Sequence, residues 1–361
     1  MLSLDTQFAA SIDHVSSTLA GWTVTEIYRR NPEYEARFGP TGPALWKGEI
    51  VNRLQYLAEA IATDRPEIFV NSVEWARAAF VARGFTTADI AGSLTALSDT
   101  LQEEMPAAIA DRCARVIKEG LKVAERPETV HDDKVLQSVF SGPDVDGPRG
   151  RAYLTHLLER QQDKALDVLL ESVQSGRSVA EVFEAIIAPA MAEVGRLWHI
   201  NEATVADEHY VTRATHHAMS MLRTKLPRAT PNGKRVLATS VGGDLHDVGI
   251  RMVADLLESE GWEVECLGAN MPTSDLVAHA VDDVGTPQFD MIALSASTGL
   301  AVRSMANAIG ALREASANGH LAIMVGGGPF AMIPDLWQVV GADGCARCAS
   351  EAVRVASKIS G

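Results

Sequence analysis

The chain has 361 residues, which is long enough for two or three domains. Its formal net charge is -15, and this argues against binding to a nucleic-acid backbone, which requires clustered Lys and Arg. No apolar run is long enough to span a bilayer, and the N-terminus lacks the basic and apolar regions of a signal peptide. We therefore expect a cytoplasmic protein with neither a nucleic-acid nor a membrane partner.

Residues 1–127 are predicted to form an all-α domain, for which a globin-like arrangement is one option. The runs 49–63 and 68–83 carry apolar residues at helical spacing. Thr86 and Thr87, followed by Asp89, are typical of a helix start. Residues 128–149 are rich in Pro and Gly, which break helices, so this stretch is predicted to be a linker.

The rest of the chain is predicted to contain a helical bundle and then an α/β domain. Residues 150–227 contain four amphipathic segments with short connections, which predict a four-helix bundle. From residue 233 to 361, apolar strands alternate with helices, which predicts a doubly wound, flavodoxin- or Rossmann-like parallel sheet. The predicted strands are 235–241, 263–267, 291–296, 322–325 and a short fifth near Gly344.

A polar, glycine-rich loop follows the first predicted strand. Doubly wound sheets bind ligands beyond the carboxyl ends of their strands, and His246 lies in this position. A neutral imidazole is a good ligand for a transition metal. Asp244 is placed to accept the second ring N–H, which raises the basicity of the ligand nitrogen. The loop therefore predicts a metal site at this edge of the sheet.

The pattern Asp244-x-His246-x-x-Gly249, together with later serine and glycine positions, resembles the cobalamin-binding domain of methionine synthase, B12-dependent mutases and corrinoid proteins. The resemblance implies that His246 replaces the cofactor's own base as the lower axial ligand of cobalt, while the nucleotide tail enters a slot along the sheet. The implied cofactor-binding residues are Asp244, His246, Gly249, Ser295, Thr298, Gly326 and Gly327. This sequence has Ser297 where the family often has Leu. The alternative is a flavodoxin-like domain without a cofactor.

A second pattern lies in the predicted bundle. Trp198 is followed after nine residues by Glu208 and His209, which resembles the adenosylcobalamin-binding bundle of B12-dependent photoreceptors. The resemblance implies that these three residues line the upper face of the cofactor. It also implies that His199 takes up cobalt from above after light has expelled the adenosyl group. The alternatives are a surface histidine at a helix end, or competition from His216 and His217.

The N-terminal domain is predicted to bind a linear tetrapyrrole rather than haem. His14 is the only histidine before residue 131, so a haem would lack its usual axial ligand. With the bundle and the cobalamin domain, the helical domain resembles the photocobilins, and this resemblance implies biliverdin as a second cofactor. The residues proposed for it are Trp22, Tyr28, Arg29, Arg30, Tyr34, Arg37, Trp46, Arg53, Tyr56 and Trp75. The alternatives are a dimerisation or signalling domain, and for Cys113 either a covalent anchor or packing.

The resemblance to photoreceptors predicts a light sensor rather than an enzyme. Light would cleave the cobalt–carbon bond of adenosylcobalamin and change the quaternary structure of a dimer or tetramer, which an unidentified effector would detect. One alternative is a corrinoid protein that carries methyl groups in a methyltransferase system. Another is a simple cobalamin carrier. A mutase is disfavoured because no sequence remains for its large barrel.

Overall fold

The computed structural model describes residues 4–126, 137–142 and 145–360 of the chain. The chain divides into two compact units, residues 1–134 and 135–361. The linker predicted at 128–149 lies partly outside the described residues. Within the described residues, no helix combines the length and the apolar character that crossing a bilayer requires.

The first unit consists of helices. They are α1 Leu4–Arg30, α2 Tyr34–Phe38, α3 Gly42–Thr63, α4 Pro66–Ala82, α5 Thr87–Glu104 and α6 Ala107–Ala124, with a 3-10 turn at Gly39–Thr41. The predicted hydroxyl cap of α5 is Thr86, whose side chain accepts the N–H of Asp89, while the Asp89 carboxylate accepts the N–H of Thr86. Pro66 begins α4, because its fixed φ suits the first helical position.

Aromatic side chains form one part of the core of this unit. The Trp46 ring is fully buried and stacks on Tyr34 with a centroid distance of 5.9 Å. Phe80 and Phe85 pack against the same indole, with centroids 5.7 and 5.5 Å away. Arg37 lies over the Phe38 ring and pairs with Asp89, whose carboxylate also accepts the Tyr34 hydroxyl. Several aromatic residues of this unit are therefore part of its packing.

The second unit begins with a helical bundle. Its helices are α7 Gly147–Leu158, α8 Gln162–Gln174, α9 Val179–Val182, α10 Ala188–His199 and α11 Val205–Arg223. A 3-10 turn at Val139–Ser141 precedes them, and a π-helical segment, Phe183–Ile187, joins α9 to α10. Phe140, within the predicted linker range, is buried in the core of the bundle.

The π-helical segment has a local cause in the sequence. Pro189 has no N–H, and its ring conflicts with the carbonyl of the residue four positions earlier, Ala185. That carbonyl accepts the N–H of Asp146 instead, at 3.0 Å. Such segments absorb a break in the helical ladder and often lie at functional sites. Here the change of phase places Glu184 beside the sheet domain, where its carboxylate accepts the N–H of Ser350 at 2.8 Å.

A parallel five-stranded sheet follows the bundle. Its strands are β1 Arg235–Val241, β2 Glu263–Met271, β3 Met291–Ser295, β4 Ala322–Gly326 and β5 Gly344–Ala346, in the order β2-β1-β3-β4-β5. Strands β1, β3 and β4 are almost wholly buried, as expected for a sheet covered on both faces. Strand β2 continues beyond the predicted end at residue 267, through a register shift opposite β1 where Gly268 has a positive φ of 78°.

Helices connect the strands on both faces of the sheet. They are α12 Val248–Ser259, α13 Thr273–Ala280, α14 Val302–Ala315, α15 Gly328–Met332, α16 Leu336–Val339 and α17 Ala349–Ile359, with a 3-10 turn at Gly299–Ala301. Met252 and Leu256 of α12 and Ala349 of α17 belong to the same apolar cluster as the bundle. The predicted fold class, a helical N-terminal region and bundle followed by a parallel α/β sheet, is confirmed.

Candidate cobalamin site

The candidate site is built on the loop of residues 242–247, which follows β1 at the carboxyl edge of the sheet. The Ser240 hydroxyl donates to the carbonyl of His246, and the Ser304 hydroxyl donates to the carbonyl of Gly242, both at 2.7 Å. The side-chain oxygen of Asn270 accepts the backbone N–H of Gly243, and the backbone N–H of Asn270 donates to the carbonyl of Asp244. Neighbouring elements on two sides therefore hold the backbone of the loop.

Asp244 and His246 form the centre of the loop. The Asp244 side chain is only 1% exposed, and its carboxylate accepts the His246 ring Nδ1–H at 2.7 Å and the His246 backbone N–H at 3.0 Å. Its second oxygen accepts the N–H of Ser297 from the loop after β3. Because a carboxylate only accepts, the His246 proton lies on Nδ1 and Nε2 carries the lone pair that can bind a metal.

These contacts shift the pKa of both groups. Burial raises the pKa of Asp244, but the hydrogen bonds from His246 and Ser297 outweigh it and the net pKa is lowered. The pKa of His246 is raised, first by the hydrogen bond to Asp244 and further by the charges of Asp244, Glu208 and Asp247, against the opposing effect of burial. Glu208, which adds to this rise in the pKa of His246, belongs to α11 of the bundle.

A cavity of about 230 Å³ lies beside the loop, between the sheet and the helices α12 and α17. Its walls are mainly apolar, and they include four of the predicted cofactor-binding residues. These are Gly249, Ser295, Gly326 and Gly327. Thr298 lies before the 3-10 turn Gly299–Ala301 and is not among the described residues that line the cavity. The structure thus brings these four residues together around one slot, with Thr298 outside it.

Two of the glycines serve different purposes. At Gly327, φ is +107° and an added Cβ would come within 2.1 Å of the Ala296 carbonyl oxygen, so only glycine lets the loops after β3 and β4 approach each other. At Gly249, an added Cβ would meet no atom within 4 Å. Because Gly249 lines the cavity, its missing side chain keeps the slot open rather than relieving strain.

The residues fit a cobalamin on three observations. The His246 side chain is 62% exposed, with Nε2 unencumbered by Asp244. Leu245, beside it, is 75% exposed, although an apolar side chain gains from being covered. The slot is mainly apolar and is lined by Gly249, three residues after His246, as a flat base on a flexible tail would require. In this arrangement His246 would hold cobalt, Leu245 would lie beneath the macrocycle, and the slot would take the tail.

The predicted upper-face residues lie on the bundle, at the end of α10 and the start of α11. Trp198 is 38% exposed. The Glu208 carboxylate accepts a hydrogen bond from the Thr212 hydroxyl at 2.9 Å and bonds to His209 Nδ1. His199, in contrast, is only 2% exposed, so its ring is packed inside the protein rather than presented on the surface.

Two polar contributors were not assigned from the sequence. Glu184 lines the cavity because of the π-helical segment, and the proline that causes this segment was the only available signal. His216 of α11 forms a hydrogen bond of 2.7 Å between Nε2 and the Asp247 carboxylate. His216 had been considered only as a rival cobalt ligand, and no local pattern shows that it reaches the loop.

The residues proposed for biliverdin are mostly engaged within the first unit. Arg29 and Arg30 pair with Glu26. Arg53 is buried and donates to Ser72, although at a long 3.3 Å. Trp22 and Trp75 are about half exposed, while Tyr34 and Trp46 are buried. Cys113 is buried, and burial raises its pKa to about 12, which disfavours the thiolate that a covalent attachment needs. Biliverdin binding stays a prediction.

This combination of a parallel sheet, an aspartate-supported exposed histidine, an apolar slot and a covering bundle is that of a cobalamin-binding region. Residues 234–356 match the family model described as the B12 binding domain. Residues 150–223 match a second family model with the same description. The two matches together cover the bundle and the sheet, and they support cobalamin binding by this part of the chain.

The relatives are corrinoid proteins. Dimethylamine corrinoid protein 2 of Methanosarcina acetivorans is 28% identical over 199 residues, 54% of this chain and 89% of the relative. A corrinoid protein of Desulfitobacterium hafniense is 28% identical over 235 residues, 63% of this chain and 97% of the relative. The structure of the monomethylamine corrinoid protein of Methanosarcina barkeri has a TM-score of 0.51 at 20% identity, covering 57% of this chain and 96% of that one, and shows the shared fold.

The comparisons correct the functional prediction. The light sensor is wrong, and so is the prediction that the chain has no part in an enzyme system, because the relatives are dimethylamine and other corrinoid proteins. They agree with the alternative, a corrinoid protein of a methyltransferase system. The likeness to photocobilins is likewise unsupported. The role given to His199 as a ligand after photolysis depended on the sensor and is withdrawn with it.

Proposed function

We propose that this chain is a corrinoid protein that carries methyl groups within a methyltransferase system. Bound cobalamin would supply a cobalt centre that accepts a methyl group and gives it up again. The catalytic proteins that donate and accept the methyl group would be separate partners, methyltransferases that approach the upper face. A self-associated form, predicted from the sequence as a dimer or tetramer, is not required for this role.

The observation that carries this proposal is that corrinoid relatives match this chain over nearly their whole length. The relatives named as dimethylamine corrinoid proteins match over about 89% of their own length, and this chain has both a bundle and a sheet domain that match B12 binding models. A protein of that kind needs a lower ligand, a slot and a cover for one cofactor. The described residues 145–360 provide candidates for all three.

The residues of the chain have separable roles in this proposal. His246 would bind cobalt through Nε2, and Asp244 would hold the ring in the required tautomer and orientation through the 2.7 Å bond to Nδ1. Gly249 and Gly326 would leave room for the tail. Trp198 would cover part of the upper face, with Glu208 and His209 at its edge.

Transfer of a labelled methyl group tests the proposal. The protein is loaded in the dark with methylcobalamin that carries carbon-14 in its methyl group. It is then mixed with a small thiol, a good methyl acceptor as the thiolate, and a soluble extract of its native organism. We expect label on the thiol that requires both the loaded protein and the extract. The control is free methylcobalamin at the same concentration; transfer from it at an equal rate would contradict the proposal.

A second measurement distinguishes a methyl carrier from a protein that binds adenosylcobalamin, the form predicted from the sequence. Affinities for methylcobalamin and adenosylcobalamin are measured in the dark by fluorescence quenching. A methyl carrier has no need of a pocket for a bulky upper group, so we expect methylcobalamin to bind about tenfold more tightly, or about 1.4 kcal/mol. A preference for adenosylcobalamin would contradict the proposal.

A further inference from the structure

A side chain of α11 forms a hydrogen bond to the loop of residues 242–247. His216 Nε2 lies 2.7 Å from Oδ1 of Asp247, the residue that directly follows His246. Both side chains are about one-quarter exposed, at 24% and 27%, so water competes only partly for this bond. The contact therefore joins the helix that carries the upper-face residues to the loop that carries the lower ligand.

The Asp247 carboxylate bonds to His216 instead of capping the helix that begins after it. Asp247 occupies the N-cap position of α12, where an aspartate side chain normally accepts an N–H from the first turn. No such side-chain bond is present, and the carboxylate is directed to His216 instead. Its other oxygen lies beside Gly268 of β2, 3.4 Å from where a Cβ would be. The side chain is thus confined between the bundle and the edge strand.

Two other polar contacts between the bundle and the sheet domain end away from the loop. Arg223 of α11 pairs with Glu258 near the far end of α12, with Nε 2.7 Å from the carboxylate. Glu184 accepts the N–H of Ser350 at the start of α17. Loss of the Arg223 pair would weaken bundle docking without releasing residues 242–247, which makes it a matched comparison for His216.

We infer that His216 is a positioning residue that couples docking of the bundle to the orientation of His246. When the bundle is docked, His216 holds Asp247, and Asp247 fixes the carboxyl-terminal end of the loop next to His246. The upper-face cover and the lower ligand are then parts of one mechanical unit. This inference rests on cobalamin binding through His246 but not on methyl transfer.

Hydrogen exchange of the cofactor-free protein is the first test. The reporters are the N–H groups of Gly243, Asp244 and His246, which bond to the Asn270 side chain, the Val241 carbonyl and the Asp244 carboxylate, respectively. We expect His216→Ala to speed their exchange about three- to tenfold, the effect of losing one hydrogen bond. His216→Gln, which keeps an N–H donor near the Nε2 position, should restore slow exchange, and Arg223→Gln should leave the loop unchanged.

Two outcomes would overturn the inference. Exchange in His216→Ala that equals the wild type would show that Asp247 is held without His216. Equal acceleration in His216→Ala and Arg223→Gln would show that the loop responds to bundle docking in general. Because both measurements use the protein without cofactor, they do not depend on whether the proposed methyl transfer is correct.

The second test reads the cobalt ligand itself. Each variant is produced with nitrogen-15 in its histidines, loaded with cobalamin and reduced to the cobalt(II) form. In its electron paramagnetic resonance spectrum a doublet splitting then reports ligation by a protein imidazole, here called nitrogen ligation, whereas the cofactor's own base gives a triplet. We expect His216→Ala to lower the nitrogen-ligated fraction, His216→Gln to restore it and Arg223→Gln to match the wild type. A full nitrogen signal in His216→Ala would overturn the coupling. A wild type that binds cobalamin without nitrogen ligation would instead refute His246 as the ligand.

Discussion

The lower side of the site lies on the loop of residues 242–247, and the upper side lies on α10 and α11 of the bundle. In the loop, a carboxylate with 1% exposure holds three N–H groups, two of His246 and one of Ser297. On the bundle, Glu208 and His209 bond mainly to each other at a surface that is partly open. The lower side is held by the contacts of a buried carboxylate, whereas the upper side is formed by side chains at a partly open surface.

This difference explains why the two sides were predicted with different success. A loop that holds an imidazole as a ligand limits which residue types can occupy several of its positions. Its motif is therefore specific and indicates cobalamin strongly. An exposed tryptophan with a Glu-His pair indicates a pocket but is compatible with several functions. The sensor function inferred from it is contradicted by the corrinoid relatives. The lower side thus indicates which cofactor is bound, whereas the upper side does not by itself indicate its use.

The largest expected effect follows from filling the slot. Gly249→Leu places a side chain in the cavity of about 230 Å³ without meeting any atom within 4 Å of its Cβ. Since overfilling a packed space costs up to about 3 kcal/mol, we expect cobalamin to bind about 100-fold more weakly. Leucine is the better helix former, so the cofactor-free protein should melt at an unchanged or higher temperature.

The matched control for this variant is Gly310→Leu. Gly310 is a glycine of α14 whose Cβ position is equally open, but it does not line the cavity. Its affinity for cobalamin, measured by absorbance titration, should equal that of the wild type. Unchanged affinity in Gly249→Leu would show that the tail does not use this slot.

The second prediction concerns the support of the ligand. Asp244→Asn keeps the shape of the side chain but replaces one accepting oxygen with an NH₂ group. At least one of the three N–H groups that Asp244 binds then meets another donor instead of an acceptor. Partners of a metal-binding histidine are typically worth 10- to 100-fold in metal affinity, and we expect a loss of about tenfold. Asp275→Asn, on α13 and outside the loop, is the control and should bind normally. Equal affinities for the two variants would contradict the role of Asp244.

Much of the fold could be predicted because the central strands are buried on both faces. Strand β1 matches its prediction at both ends. The prediction ends strand β2 at residue 267, but Gly268, with its positive φ, continues the strand through a register shift. The four-helix prediction for residues 150–227 does not include the π-helical segment, which depends on Pro189.

The candidate site could be predicted only where contacts are local in sequence. Asp244 and His246 are two residues apart, so their bond follows from the motif. The bond between His216 and Asp247 joins positions 31 residues apart, and it depends on how the bundle docks. The burial of His199 also depends on this packing, and neighbouring residues do not reveal it.

A third prediction compares the buried carboxylate of the loop with one in the bundle. Glu193 is buried, accepts the N–H of Val139 at 2.8 Å and pairs with Arg196. Burial raises the pKa of Glu193, but the bonds from Arg196 and Val139 outweigh it, so its net pKa is lowered. A lowered pKa stabilises the fold above the usual carboxyl pKa of about 4.3, and this contribution is lost as pH falls through the folded value.

Urea unfolding of Glu193→Gln tests this expectation. At pH 7 we expect the variant to be less stable by about 1 kcal/mol, because the amide keeps only part of the charge-assisted bonding. The difference from the wild type should shrink as the pH falls from 6 towards 3. Cobalamin affinity should not change, unlike in Asp244→Asn. A stability difference that is constant with pH would mean that the carboxylate charge is not responsible.

The smallest expected effect tests whether the bundle faces the loop at all. The charge of Glu208 contributes to the raised pKa of His246, after the larger effect of the Asp244 hydrogen bond. Removing the charge in Glu208→Gln should therefore lower the pKa of His246 slightly, as followed by NMR titration of the imidazole in the cofactor-free protein. Glu208 is partly exposed, so cobalamin affinity should change by no more than about threefold.

Glu202→Gln, in the turn between α10 and α11, is the control and should leave the titration unchanged. An unshifted His246 in Glu208→Gln would mean that α11 does not present its charge to the loop in solution, and the lower and upper sides would then have to be treated as independent.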